Sequence, residues 1–204
     1  GQIHFLWPGR RRKLLKYFDE LKNKFFASTK EMTAKMEQRG GGVLGFELIS
    51  MTNQIDNYYQ IKVSFNTVDS MGANFINSCL EEYATVLKNF FQENEAFSGK
   101  EKDCQIIMSI LSNYTPDCLV RAWVECSLSD LDGIDSDLTG EQFARKFQLA
   151  VRVAEEDVFR ATTHNKGIFN GIDSVAIATG NDFRAIEAAG HTFAAQSGSY
   201  RSLS

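Results

Sequence analysis

Two short stretches of this chain hold residues whose types and spacing could do chemistry. The first, ATTHNKGIFNGIDSVAIATGND from Ala161 to Asp182, is apparently helical, rich in small residues and poor in charge, yet it carries Lys166 and, sixteen residues on, Asp182. A solvated helix scatters charges over its outer face, so a segment that keeps so few is expected to bury most of its length. A lysine there either snorkels out of a core or is held for chemistry. The second stretch, VDSMGAN from Val68 to Asn74, falls where a strand-like run passes into a helical one. Asp69 is the expected N-cap, and Gly72 lets backbone come close to a ligand at a helix N-terminus. No GxGxxG is present, so a Rossmann site is not indicated. A third stretch, Asp130 to Glu141, only imitates a calcium loop, because Ile134 and Asp135 occupy the positions where an oxygen ligand and a turn glycine are required. It is expected to be a solvated loop leading into a capped helix.

These residues need a scaffold, and the patterning supplies one. GQIHFLW places Ile3, Phe5 and Trp7 on one face of a strand that Pro8 and Gly9 close. From Arg10 to Arg39, Leu14, Phe18, Leu21 and Phe25 recur at helical spacing, and Gly40, Gly41 and Gly42 stop the helix. VLGFELISM, with Leu44, Phe46 and Leu48 on one face, and YYQIKVSF, with Tyr59, Ile61, Val63 and Phe65 on one face, form a hairpin. A helix from about Met71 to Asn94 carries Phe75, Cys79, Tyr83, Val86 and Phe90, and DCQIIMSIL gives a last strand. The order β-α-β-β-α-β is the split βαβ arrangement, so the fold class is α+β with a ferredoxin-like unit over residues 1–112. A second unit, 113–204, is expected to hold a strand over CLVRAWVECSL, a helix behind a Thr139/Gln142 capping box with a stripe of Phe143, Phe147, Ala150, Ala154 and Val158, and two helices near 165–179 and 182–196.

Composition sets the outer limits. The chain has 204 residues, 43% of them hydrophobic, with a net charge of −4, which argues against a mainly electrostatic nucleic-acid or membrane partner despite the local cluster Arg10, Arg11, Arg12, Lys13 and Lys16. Cys79, Cys104, Cys118 and Cys126 form no CxxC pair and are expected to be small buried hydrophobes in a reducing compartment. No apolar run approaches a membrane span and no signal peptide is visible, so a cytoplasmic location is expected. RNA binding on sheet aromatics is a weaker reading, since YYQIKVSF lacks the glycine and the basic-aromatic order of that motif.

The resemblance that joins these pieces is specific. DSMGAN resembles the dinucleotide motif of the hydroxymethylglutaryl-CoA reductases, and ATTHNKGIFNG followed by ATGNDFRAIEAAGHTFAAQSGSY is similar to that family's catalytic segment almost throughout. Ala73 after Gly72 resembles the bacterial, class II branch, and Ser70 departs from the usual alanine. The resemblance implies that residues 1–112 are an NAD(P)-binding small domain and 113–204 part of a substrate-binding, catalytic large domain whose N- and C-terminal portions are absent. It implies a catalytic lysine at Lys166, a catalytic aspartate at Asp182, a carboxylate-gripping arginine at Arg160 and a substrate-binding asparagine at Asn170. Asp69, Met71, Gly72 and Asn74 would hold NADH or NADPH, with no metal. The family's glutamate is expected before Gly1 and its histidine after Ser204, so the stretch alone is expected to be inactive.

The chemistry suits those residues. The family reduces a coenzyme A thioester to an alcohol by two hydride transfers, and an ammonium in a water-poor pocket can meet the charge that arrives on the carbonyl oxygen. A carboxylate at hydrogen-bond range, Asp182, would keep that ammonium charged. The competing reading is a structural ion pair between helices. Arg160 can take a carboxylate bidentately; its alternative is a cation near a helix C-terminus. His164 and His191 are expected to be packing and helix residues. A homodimer with its active site at the subunit interface follows from the resemblance. The rival from another class is a non-catalytic nucleotide-binding or interaction module on the split βαβ sheet.

Overall fold

The alternation of Ile3, Phe5 and Trp7 with Gln2, His4 and Leu6 becomes strand β1, Gln2–Leu6, in the computed structural model, which describes residues 1–204. Ile3, Phe5 and Trp7 lose all contact with solvent. The helical pattern that follows is broken into α1, Arg11–Lys16, and α2, Phe18–Gln38, by Tyr17, whose φ of −108° and ψ of 7° leave helical geometry. Gly40 ends α2 with φ +88°, while its N–H donates to Glu37 O and the N–H of Gly41 donates to Met36 O. That pair of bonds is the Schellman stop the three glycines predict.

Strands β2, Gly42–Ser50, and β3, Tyr58–Asn66, form the hairpin; α3 is Ala73–Glu93 and β4 is Gln105–Ile110. All pairs are antiparallel and the order across the sheet is β2-β3-β1-β4. Helices α2 and α3 close over the face that carries Phe5, Ile61 and Val63, and Phe25, Phe46 and Tyr83 meet there with ring centroids 5.0–5.1 Å apart. Trp7 stacks on Phe91 at 4.8 Å and donates its indole N–H to Glu101 O at 2.7 Å, so its polar handle is satisfied within the core. The Tyr83 hydroxyl is likewise partnered, lying 2.9 Å from Thr29 Oγ1.

Both outer strands carry an extra residue. Leu44 interrupts the register of β2 between Val43 and Gly45, and Ile107 does the same in β4. The bulge turns Leu44 outward, to 67% exposure, so the expected alignment of Leu44 with Phe46 and Leu48 fails at its first member.

The chain divides into two compact units, Gly1–Ser112 and Asn113–Ser204. In the second, α4 is Gly140–Glu156, α5 is Val158–Ala178 and α6 is Phe183–Ala194. The capping box forms as the spacing predicts, with Gln142 N–H donating to Thr139 Oγ1 at 3.3 Å and Gln142 Oε1 accepting from Thr139 N–H at 3.0 Å. The strand expected over Cys118–Leu128 does not form, and residues 118–127 have no regular structure. Alternation arranges side chains, but a strand also needs a neighbour for its backbone groups, and none pairs with this segment. Val120 and Val124 are consequently 98% and 97% exposed. Of the α4 stripe only Ala154 is buried, and Phe147 lies in the open. The cysteines also divide: Cys79 and Cys104 are buried as expected, whereas Cys118 and Cys126 are exposed because they belong to the unpaired segment. No helix is long and apolar enough to cross a membrane.

Candidate functional site

The loop between β3 and α3 is tightly tied. Thr67 Oγ1 donates to Ser70 O at 2.6 Å, Ser70 Oγ donates to Thr67 O at 2.8 Å, and Val68 N–H donates to Asn66 Oδ1 at 2.9 Å. Within it Val68 holds φ +55° and Gly72 φ +70°. A β-branched residue in the left-handed region is strained, and such strain persists only where the surroundings over-determine it. Gly72 is forced: a Cβ there would meet Thr67 Cγ2 at 2.5 Å.

Gly72, not Asp69, is the N-cap of α3, and no side chain caps the helix. Asp69 is placed by the Thr67–Ser70 turn three residues too early to reach the first-turn amides, and it stands exposed beside Met71 and Asn74. The N–H groups at the start of α3 thus lack a side-chain acceptor, and the helix dipole adds positive character there. A helix start of this kind has the general character of an anion-binding terminus. Asp69, Met71, Gly72 and Asn74 are brought together at one corner of the first unit.

In the second unit, Arg160, Lys166 and Asn170 all lie on α5 and are exposed. Lys166 and Asn170 are one turn apart and share a face. Arg160 occupies the first turn, behind Asp157, whose carboxylate accepts Phe159 N–H at 3.0 Å. Arg160 thus follows the C-terminus of α4, which ends at Glu156, by four residues, while the N-terminal dipole of α5 opposes a cation at the same position.

Asp182 caps α6, accepting Arg184 N–H at 3.1 Å and Ala185 N–H at 3.3 Å. The Arg184 guanidinium, with Nε 3.2 Å from Oδ1, and these amides hold its carboxyl below the usual carboxylate range. The expected ion pair of Lys166 with Asp182 is absent. Twelve residues, about 18 Å of helix, separate Lys166 from the end of α5, and helical side chains lean toward the N-terminus, away from Asp182. Helix α6 runs back along α5, so that a Cβ on Gly190 would touch the ring of Phe169. Asp182 thus lies at the turn and Lys166 near the opposite end of the pair.

Sequence reasoning missed three residues here. Arg184 takes the carboxylate assigned to Lys166; its position two residues into a capped helix was the available signal. Asn165 is fully buried and staples the chain end to α5, donating to Arg201 O at 2.9 Å and accepting from Leu203 N–H at 2.9 Å. Asp173 keeps Oδ1 buried without a hydrogen-bond partner, a costly state that nothing in its sequence context signals. His164 is half-buried on α5, its Nε2 2.8 Å from Ser204 Oγ, and His191 is an exposed residue of α6, its Nδ1 2.8 Å from Tyr200 OH and its ring 4.7 Å from that of Phe169.

The sequence model of the family described as hydroxymethylglutaryl-coenzyme A reductase matches residues 1–203. A 3-hydroxy-3-methylglutaryl-coenzyme A reductase of Archaeoglobus fulgidus is 33% identical over 177 residues, covering 87% of this chain and 36% of that protein. A probable reductase of the same description from Borreliella burgdorferi is 32% identical, over 95% of this chain and 41% of its own length. Among solved structures, the 3-hydroxy-3-methylglutaryl-coenzyme A reductase of Streptococcus pneumoniae superposes with a TM-score of 0.75 at 32% identity, covering 99% of this chain and 51% of that one. A class II reductase of the same organism, described as bound to NADPH in open conformations, gives 0.75 at 31% identity, again over 99% of this chain and 51% of that one. The chain spans about half or less of the length of each of these relatives.

Proposed function

Because the chain belongs to the hydroxymethylglutaryl-coenzyme A reductase family, we propose that the whole protein is a class II reductase that converts hydroxymethylglutaryl-CoA to mevalonate and coenzyme A with NAD(P)H, or runs that reaction in reverse. The observation that most supports this reading is the β3–α3 loop. A family dinucleotide motif coincides with a strained residue, a left-handed glycine and an uncapped helix N-terminus. Asp69, Met71, Gly72 and Asn74 would hold the dinucleotide there, which supplies hydride when bound.

The remaining roles fall to unit 2. Arg160 grips the substrate carboxylate with its planar fork, and Asn170 hydrogen-bonds the substrate beside Lys166. As hydride reaches the thioester carbon, the Lys166 ammonium stabilises the charge that gathers on the oxygen, and a proton from the family's glutamate, expected outside this stretch, completes the hemithioacetal. Cleavage of the C–S bond then restores a carbonyl, and coenzyme A leaves as the thiol once protonated. A second NAD(P)H, taken up after the oxidised dinucleotide has left, would supply the second hydride, and a second proton completes reduction of the aldehyde to the alcohol. Asp182 keeps Lys166 positive in this scheme.

Within one chain the α5–α6 geometry holds those two residues apart, so the scheme requires a second protomer or further chain to unite them. A homodimer with its active site at the subunit contact meets that requirement. The test is Lys166→Ala in the full-length enzyme. Lys166 is exposed and makes no ion pair here, so thermal stability should be unchanged while reductase kcat falls about 100-fold or more. Retained turnover in a folded variant refutes the assignment.

A further inference from the structure

Asp173 Oδ1, on α5, is the one buried side-chain oxygen of the chain that finds no hydrogen-bond partner. A carboxylate oxygen kept in that state costs stability, and in a native fold it calls for an explanation in function. No cation of the chain answers it, since the three ion pairs are Lys13–Glu101, Lys22–Asp19 and Arg184–Asp182. Its place on the helix limits what can supply the missing donor. Phe169 and Ala176, four residues before and three after, are buried, whereas Asn170 and Ile177, three before and four after, are exposed. Asp173 therefore stands on the border between the packed face of α5 and the open one, where it continues the stripe of Lys166 and Asn170 at spacings of four and three.

Direction matters along this stripe. Helical side chains lean toward the N-terminus, so Asp173 leans toward Asn170 and Asn170 toward Lys166. The Ser174 hydroxyl donates to the Asn170 backbone carbonyl at 2.6 Å, which leaves the Asn170 side-chain amide, like Asp173 Oδ1, without a partner. An amide carries a donor nitrogen and an acceptor oxygen that can exchange places, whereas an ionised carboxylate only accepts. A carboxylate one turn behind Asn170 removes that ambiguity, because it takes the Nδ2–H and leaves Oδ1 turned toward the Lys166 ammonium. The reverse orientation would set an N–H donor against the cation.

We propose that Asp173 is a positioning residue for the reduction: its free oxygen accepts the Asn170 Nδ2–H when substrate engages this face of α5, so that Asn170 presents Oδ1 to Lys166. This rests on the reductase reading above. The experiment uses the full-length protein and compares the parent with Asp173→Leu, Asp173→Asn, Asn170→Ala and the Asp173→Leu/Asn170→Ala pair. Asp173→Leu, of similar shape and without an acceptor, should lower kcat/KM for hydroxymethylglutaryl-CoA about tenfold. Its melting temperature without ligand should be unchanged or raised, because the orphaned oxygen is gone. Asp173→Asn keeps one acceptor oxygen and should lose only about threefold. The pair should be no slower than Asn170→Ala alone, since Asp173 acts through that amide. Losses that multiply in the pair, full activity in Asp173→Leu, or losses in both Asp173 variants that follow a fall in melting temperature overturn the proposal. Calorimetric binding of 3-hydroxy-3-methylglutarate separates this idea from the activity it rests on. If the parent does not reduce the thioester, the reductase reading fails. The Asp173 assignment then stands only if Asp173→Leu and Asn170→Ala weaken that binding alike, and absent binding or equal affinity in all variants overturns it.

Discussion

Replacing Gly72 by alanine tests whether the loop that presents the helix α3 terminus is built as described. The native φ of +70° places an alanine in the left-handed region, at a cost of about 1–2 kcal/mol. The added Cβ would also sit 2.5 Å from Thr67 Cγ2 and 2.9 Å from Thr67 Cβ, and the second of these cannot be relieved by rotating a side chain. Moving Thr67 endangers its hydroxyl bond to Ser70 O, worth about 1 kcal/mol. Gly72→Ala should therefore destabilise the first unit by about 2–3 kcal/mol, a large share of a typical domain's stability. Urea unfolding followed by tryptophan emission suits the measurement, because Trp7 is fully buried in that unit whereas Trp123 is already 74% exposed. The two parts of the cost separate in a double-mutant cycle with Thr67→Gly. Removing the Thr67 side chain should return about 1 kcal/mol to Gly72→Ala, leaving the backbone part in place. A change of less than about 0.5 kcal/mol in the single variant, or a cycle without coupling, refutes the loop geometry argued here.

Two further outcomes follow from the interior of the first unit. Tyr83→Phe removes a hydroxyl whose partner, Thr29 Oγ1, can still donate to Phe25 O; the expected cost in urea unfolding is about 1 kcal/mol, and a neutral result would show that the pair contributes nothing. Burial pushes the thiols of Cys79 and Cys104 up to about 11 and about 12, so at about pH 8 a disulfide reagent should titrate Cys118 and Cys126 rapidly and the other two only on unfolding; rapid reaction of all four would contradict the burial.

The first unit was legible because its elements bury one face each, and a buried face leaves a period of two or 3.6 in the sequence. Ile3, Phe5 and Trp7, or Cys79, Tyr83 and Phe90, could hardly be read otherwise. The bulge at Leu44 was not legible, since an inserted residue leaves the apolar count of a strand unchanged. The segment 118–127 failed for a different reason. Its alternation describes how a strand would turn its side chains, but carries no information on whether another strand stands beside it. The candidate site divides in the same way. The DSMGAN loop is local, so its glycine and its position before α3 could be read directly, although the cap fell to Gly72 and not to Asp69. The link from Lys166 to Asp182 is nonlocal. Sixteen residues of spacing cannot reveal that α5 continues for twelve residues beyond Lys166 before the turn to Asp182 or that Arg184 stands closer.

The two bulges have a consequence for how this sheet behaves in company. A regular outer strand is a template on which a stranger's backbone can add itself, rung by rung, toward fibrous aggregates. Leu44 and Ile107 each break that template at the margin where it would be copied, so the four-stranded layer cannot readily be extended from either side. Leu119 to Val124 has no such interruption, only the single charge of Arg121, and it is from there that self-association of this chain should nucleate.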